Sequence, residues 1–115
     1  PCGTDIQGPD KGDRDNKGKR RWSLIDYSSL EELVKVLEFG AEKYADHNWK
    51  KGLPYTETVE SLLRHTIAFL EGEDVDPESK LPHTGHILCN AMFLSYMYKY
   101  KPDLDDRFRD KNKEL

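Results

Sequence analysis

The chain has 115 residues, 36% of them hydrophobic and 35% charged, and a formal net charge of −4 at pH 7. That length predicts one modest domain with little room for a second core, and the acidic balance argues against general attraction to duplex nucleic acid. Two cysteines, Cys2 and Cys89, are too few for a disulfide framework or a paired-cysteine zinc site.

Residues 1–20 carry four glycines, alternating charge and almost nothing apolar, so they read as a flexible, basic, Gly-rich arm. Ser29 and Glu32 have capping-box spacing. Leu30, Leu33, Val34, Leu37, Ala41 and Tyr44 then recur on one helical face, which predicts a first helix over about 29–45. A break at Asp46 to Pro54 is followed by Thr56 as cap and by Val59, Leu62, Leu63, Thr66 and Leu70, a second helix ending near Gly72. Pro82 suits the first turn of a third helix, whose stripe of Ile87, Leu88, Ala91, Leu94 and Tyr98 runs until Pro102. Residues 103–115 read as a solvated charged tail, leaving 21–102 as the folded domain.

No segment alternates with period two at strand length, so the expected class is all-α, a small bundle of three main helices. Three such helices bury a thin core, while Tyr96, Met97, Tyr98 and Tyr100 crowd one helix end. The bundle is therefore expected to be completed by pairing in a homo-oligomer. The longest mainly apolar run, residues 87–98, is too short and interrupted to span a bilayer, and no charged-then-apolar leader precedes the first residues. A cytoplasmic chain with no membrane partner follows.

One stretch has the composition of a site. Arg64-His65, the acidic run from Glu73 to Glu78, and His83 to His86 hold three of the four histidines. An antiparallel hairpin with its loop near Asp76 sets His65 opposite the turn from His86 to Cys89. His83, His86 and Asn90 share one helical face, with Phe93 and Met97 continuing it into apolar territory. On the second helix Thr58, Ser61, His65, Ala68 and Gly72 form a line of small residues around the histidine, which suits a pocket or a close helix contact.

Two readings remain open at this level. In one, Glu73, Asp76 and Glu78 with His65, His83 or His86 hold a divalent cation or position a water against a phosphate. Hard carboxylate oxygens suit magnesium or manganese, and imidazole serves as base or ligand near neutral pH. In the other, the acidic loop is solvated and the histidines satisfy a helix start. Arg64 divides likewise between an ion pair with Glu60 and a bidentate clamp on phosphate. Lys43, Lys50 and Lys51 surround Asn48 and Trp49, a place for a nucleotide to stack or for an indole to plug the bundle end. Arg21 and Trp22 repeat that basic-aromatic pairing in the arm, without any phosphate-loop glycine pattern.

Lys19 to Leu24, Phe39 to Tyr44 with Asn48-Trp49, Arg64-His65, Gly72 to Ser79, and Pro82 to His86 with Asn90 together give a sequence that resembles the phage dATP/dGTP diphosphohydrolase N-terminal family over about residues 17–100. The resemblance implies a helical nucleotide-binding domain, related to the MazG-like all-α pyrophosphohydrolases. Those enzymes cut a purine deoxynucleoside triphosphate to the monophosphate and pyrophosphate with a divalent metal, here magnesium or manganese. The wider MazG pattern needs paired carboxylates on two facing helices. Its letters occur as Glu57 with Glu60 and Glu73 with Asp76, but about 20 Å of helix separates the pairs at 1.5 Å per residue.

The expected site is therefore drawn from the local cluster. His65, Glu73, Asp76 and His86 are the catalytic candidates, and Glu73, Asp76, Glu78 and His83 the metal candidates. Arg21, Trp22, Lys43, Tyr44, Asn48, Trp49, Arg64 and Asn90 are the candidates for binding nucleotide. Two alternatives to an enzyme stand beside this: a phage module that sequesters a nucleotide signal of host defence without turnover, and a helical interaction domain.

Overall fold

A computed structural model describes residue 12, residues 14–15 and residues 17–113 of the chain. Most of the expected arm, including Cys2, lies outside the described residues, as do the last two positions of the tail. Three α-helices form the body: α1 (Glu31–Lys43), α2 (Tyr55–Leu70) and α3 (His83–Tyr100). Among the described residues there is no strand, only an isolated bridge between Val75 and Pro82. The class is all-α, as the periodicities indicate. Among the described residues no helix is long and apolar enough to cross a membrane.

The helix starts differ from the sequence expectation, each for a local reason. The Ser29–Glu32 capping box does not form, because Ser28 and Ser29 both donate to the Asp26 carboxylate. The chain makes a 3-10 turn at Tyr27–Leu30 and enters α1 with Leu30 at the cap. α2 begins one residue before Thr56, so Thr56 is not its cap. Its N–H and hydroxyl donate instead to the two carboxylate oxygens of Asp106, at 3.0 and 2.7 Å. A carboxylate from far along the sequence thus supplies the negative charge that a helix N-terminus favours, and Thr56's hydroxyl holds Asp106 below the usual carboxylate range. Pro82 stands at the cap position of α3 rather than inside its first turn. The first residue of α3, His83, uses its N–H on the Asp74 carbonyl at 2.9 Å, a bond no proline can make.

α3 is the central helix and packs against both α1 and α2. It runs antiparallel to α2: the facing contacts Tyr55–Met97, Ser61–Asn90 and His65–His86 descend one helix as they climb the other. The small-residue line on α2 is the contact face. Thr58 is 1% exposed, and its hydroxyl donates to the Pro54 carbonyl. The apolar core is thin. Val36, Tyr55, Cys89 and Met97 are its buried members, and the Tyr55 hydroxyl donates to the Met97 carbonyl at 3.0 Å. Burial pushes the Cys89 thiol up to about 12, so it serves as a packing group. Leu63, Ile67 and Leu70 lie exposed along one line of α2.

The segment expected to be a solvated tail begins by docking. Lys101 and Leu104 pack over Gly52, whose φ of +95° requires glycine at that turn. Arg107 grips Asp105 with two bonds of 2.8 and 2.7 Å and lays its guanidinium over the Tyr55 ring.

α1 meets α3 where Gly85 allows backbone contact. A Cβ on Gly85 would lie 2.7 Å from the Glu32 carbonyl oxygen, an atom of helix backbone with little freedom to retreat. Gly85→Ala is expected to cost about 1–3 kcal/mol of stability through overpacking. Calorimetry should show a fall in melting temperature; an unchanged value would mean that α1 moves off α3 freely.

Candidate functional site

The turn between α2 and α3 is built by local chemistry. Gly72, at φ +100°, ends α2 in a Schellman arrangement. Its N–H bonds to the Phe69 carbonyl and that of Glu73 to the Ala68 carbonyl, both at 3.0 Å. This turns Glu73 back toward α3. Asp76 then accepts the Ser79 N–H on its side chain at 2.8 Å, the local bonding that suits aspartate to turns. Asp76 N–H to Leu81 and Lys80 N–H to Asp76 close the loop. The carboxylates are thereby part of a hydrogen-bonded structure and not a loose acidic loop.

Between α2, this loop and α3 lies a cleft of about 410 Å³, within the range of small-molecule sites. Arg64, His65 and Ala68 from α2 line it, with Glu73, Asp76, Glu78 and Ser79 from the loop and His83 and His86 from α3. Phe39 of α1 and Ser61 complete it. Three histidines that are far apart in sequence thus meet in one place, the convergence expected of the hairpin.

Their contacts are specific. His83, 2% exposed, places Nε2 2.8 Å from Glu73 Oε1 and Nδ1 2.8 Å from His65 Nδ1. Glu73 accepts, so His83 Nε2 carries a proton. In the neutral ring Nδ1 is then an acceptor, and His65 donates to it from its own Nδ1. His65 stacks on His86 at a centroid distance of 4.3 Å and an interplanar angle of 4°. His86 Nε2 lies 2.7 Å from Ser79 Oγ and 4.0 Å from Asp76 Oδ2.

The local fields favour neutral rings beside an ionised carboxylate. Burial holds His65 below its ordinary value, reinforced by the charge that His86 would carry; burial also lowers His86. Partial burial opposes ionisation of Asp76, but the hydrogen bond from the Ser79 N–H holds its carboxyl below the usual range. One donor atom from each of His65, Asp76 and His83 lies within 4.8 Å of the others, a spacing able to hold a metal ion. Glu78 stands apart from that trio at the rim, paired with Lys43 of α1 at 3.5 Å.

The remaining candidates divide. Asn90, one turn beyond His86, donates to the His86 carbonyl at 2.9 Å and to Ser61 Oγ at 3.3 Å, bracing the two helices just below the cleft. Trp49 does not line the cleft. It stacks on Phe93 at 4.7 Å, meets Tyr96 edge-on at 4.9 Å, and so closes the bundle beside α3. Asn48 opens the same 3-10 turn (Asn48–Lys51), Tyr44 is 66% exposed beside Lys43, and Arg21 precedes the exposed turn Trp22–Leu24. None of these lines the cleft. Ser79 and Phe39 were not among the expected site residues, and Ser61 and Ala68 were expected only as members of the small-residue line. Ser79 was detectable, since an aspartate three positions earlier across a proline is the pattern of a side-chain-bonded turn.

Two outcomes follow from this geometry. The folded protein binds protons on His65 and His86 less readily than the unfolded chain does, so their contribution to stability is complete above the ordinary value of 6.5 and is lost as pH falls below it, through the lowered folded values. The melting temperature should fall on going below about pH 6.5, before the carboxylate range is reached, and His86→Gln should flatten that slope. An equal slope in the variant would assign the loss elsewhere. Trp49→Ala should destabilise the bundle by about 2 kcal/mol as its stacking on Phe93 is lost; a melting temperature equal to that of the parent would show the indole to be dispensable for packing.

Comparison with known proteins places this chain in a lineage. Residues 9–107 match the family model described as dATP/dGTP diphosphohydrolase, N-terminal. A relative named dATP/dGTP diphosphohydrolase, from Salmonella phage PMBT28, is 34% identical over 92 residues, which is 80% of this chain and 31% of that protein. The chain thus spans about a third of the length of the curated relative it matches. No solved structure matches. Glu57 and Glu60 lie in the first half of α2 and do not line the cleft, whereas Glu73 and Asp76 lie beyond its end and do. With nearly its whole folded body covered by the match, the chain belongs to the dATP/dGTP diphosphohydrolase N-terminal family.

Proposed function

We propose that the cleft between α2 and α3 binds a purine deoxynucleoside triphosphate and hydrolyses it to the monophosphate and pyrophosphate. The observation that carries this reading is the gathering of neutral imidazoles and an ionised carboxylate at one cleft whose rim bears Arg64 and Lys43, in a chain of this family. The donor set fits a divalent cation held by Asp76 and histidine. When bound, it would neutralise phosphate charge.

The chain's own groups have separable tasks. Arg64 clamps phosphate oxygens, and Lys43 exchanges its single long contact with Glu78 for the same charge. His86, kept neutral by burial, exchanges its Ser79 bond for the attacking water and takes its proton. The bond between the α- and β-phosphoryl groups breaks, and pyrophosphate leaves. Phe39, the aromatic side chain of the cleft lining, offers an apolar face to the base, a task that Trp49 cannot share while stacked on Phe93.

The test is direct. Purified protein incubated with dGTP or dATP and manganese or magnesium should release pyrophosphate and the matching monophosphate. His86→Ala should lower kcat about 10²–10⁴-fold, and Asp76→Asn should do likewise with an unchanged helical circular dichroism signal. Recovery of unaltered nucleotide from the protein would replace hydrolysis with sequestration. Neither release nor retention would leave a helical interaction domain.

A further inference from the structure

His65 and His83 meet in an arrangement that serves a hydrogen bond and can equally receive a cation. Their Nδ1 atoms face each other at 2.8 Å across the α2–α3 contact. Two imidazole lone pairs so placed repel unless a proton or a cation sits between them. The far side of His83 is fixed independently, because its Nε2–H is held by Glu73 at 2.8 Å. That is the carboxylate–histidine arrangement that orients a metal-binding ring and raises its basicity. Asp76 brings a carboxylate oxygen into the same space, within 4.8 Å of a nitrogen from each ring. The His65 ring is held against rotation by its stack on His86, which Ser79 anchors in turn.

We infer that His65 Nδ1, His83 Nδ1 and Asp76 hold one divalent cation of the nitrogen-accepting class, manganese, cobalt or zinc, in preference to magnesium. The inference deepens the nucleotide reading by naming the cation of the same cleft, and in that sense rests on it. A cation with metal–nitrogen bonds near 2.0–2.1 Å separates two adjacent ligand nitrogens by about 3.0–3.4 Å, so the observed pair needs to open by only a few tenths of an ångström. Magnesium selects oxygen and retains its waters, whereas imidazole suits the later metals. On ligation the His65 proton moves from Nδ1 to Nε2, with no net change in protonation. The remaining coordination positions are left for water or phosphate oxygen.

The experiment reads the metal and not the turnover. Chelator-stripped protein is titrated calorimetrically with manganese, cobalt, zinc and magnesium chlorides. One equivalent of manganese, cobalt or zinc should bind, with magnesium at least tenfold weaker, and cobalt should develop the visible absorption of a nitrogen-ligated ion. In ¹⁵N spectra of the imidazoles, zinc should move the His65 proton from Nδ1 to Nε2. Glu73→Gln, which leaves all three ligands in place, should weaken manganese about 10–100-fold, and His65→Ala should weaken it further. Magnesium binding as tightly as manganese, or His65→Ala retaining parental manganese affinity, would overturn the inference and leave the two rings as a simple hydrogen-bonded pair. Should His65→Ala fail to fold, the metal competition and the zinc-dependent shift on the native chain still decide. Manganese binding without nucleotide hydrolysis supports this site while removing the proposed reaction; hydrolysis with magnesium in a chain indifferent to manganese does the reverse.

Discussion

Close contact between α2 and α3 is the constraint on which the molecule depends. The line of small side chains on α2 lets the helices approach with Thr58 fully enclosed, and the same line carries the one large polar ring, His65, into the gap. A bulky residue at Ser61 or Ala68 would hold the helices apart and leave His65 facing water. Burying polar rings has a cost that must be offset by partners. Here each ring has one: Glu73 for His83, His83 for His65, Ser79 for His86. The site is thus part of the packing between the helices, and polar satisfaction replaces some of the apolar contact that so thin a core lacks.

Much of this was legible in the sequence. Periodicity located three helices, because apolar residues at helical spacing on a short chain leave few alternatives. Gly72 marked the end of α2, and the hairpin geometry alone brought His65 to His86. Helix starts were less legible. Local rules nominated Ser29 and Thr56, but Asp26 competed for the serine hydroxyls and Asp106 reached Thr56 from fifty residues away. A long-range hydrogen bond leaves no local signature. The aromatic residues failed as markers for a related reason: a tryptophan beside lysines suits a ligand and a bundle end equally, and only the position of Phe93 on α3 separates the two.

The electrostatics of the cleft divide its carboxylates by depth. Asp76, bonded by Ser79, is the inner charge; Glu73 is half exposed and spends one oxygen on His83; Glu78 is at the surface with Lys43. An acidic cluster in the sequence is therefore three different groups in space. Only the innermost sits among the imidazoles, where burial keeps the rings from competing as cations. The outer charges each have a partner, Lys43 for Glu78 and His83 for Glu73, and Asp76 alone lies enclosed beside the stacked rings.

The bond from Asp106 to Thr56 ties the closing segment of the described chain to the first turn of α2, the helix that delivers Arg64 and His65. α2 has no side-chain cap of its own, so this clasp stands in for one. A boundary drawn at the end of α3, where the helical pattern stops, would sever it. The helix would then fray from its start, and the alignment of its histidine with the opposite ring would loosen with no change near the cleft. The packed body of the described chain accordingly extends past its last long helix, to the aspartate that caps the second one.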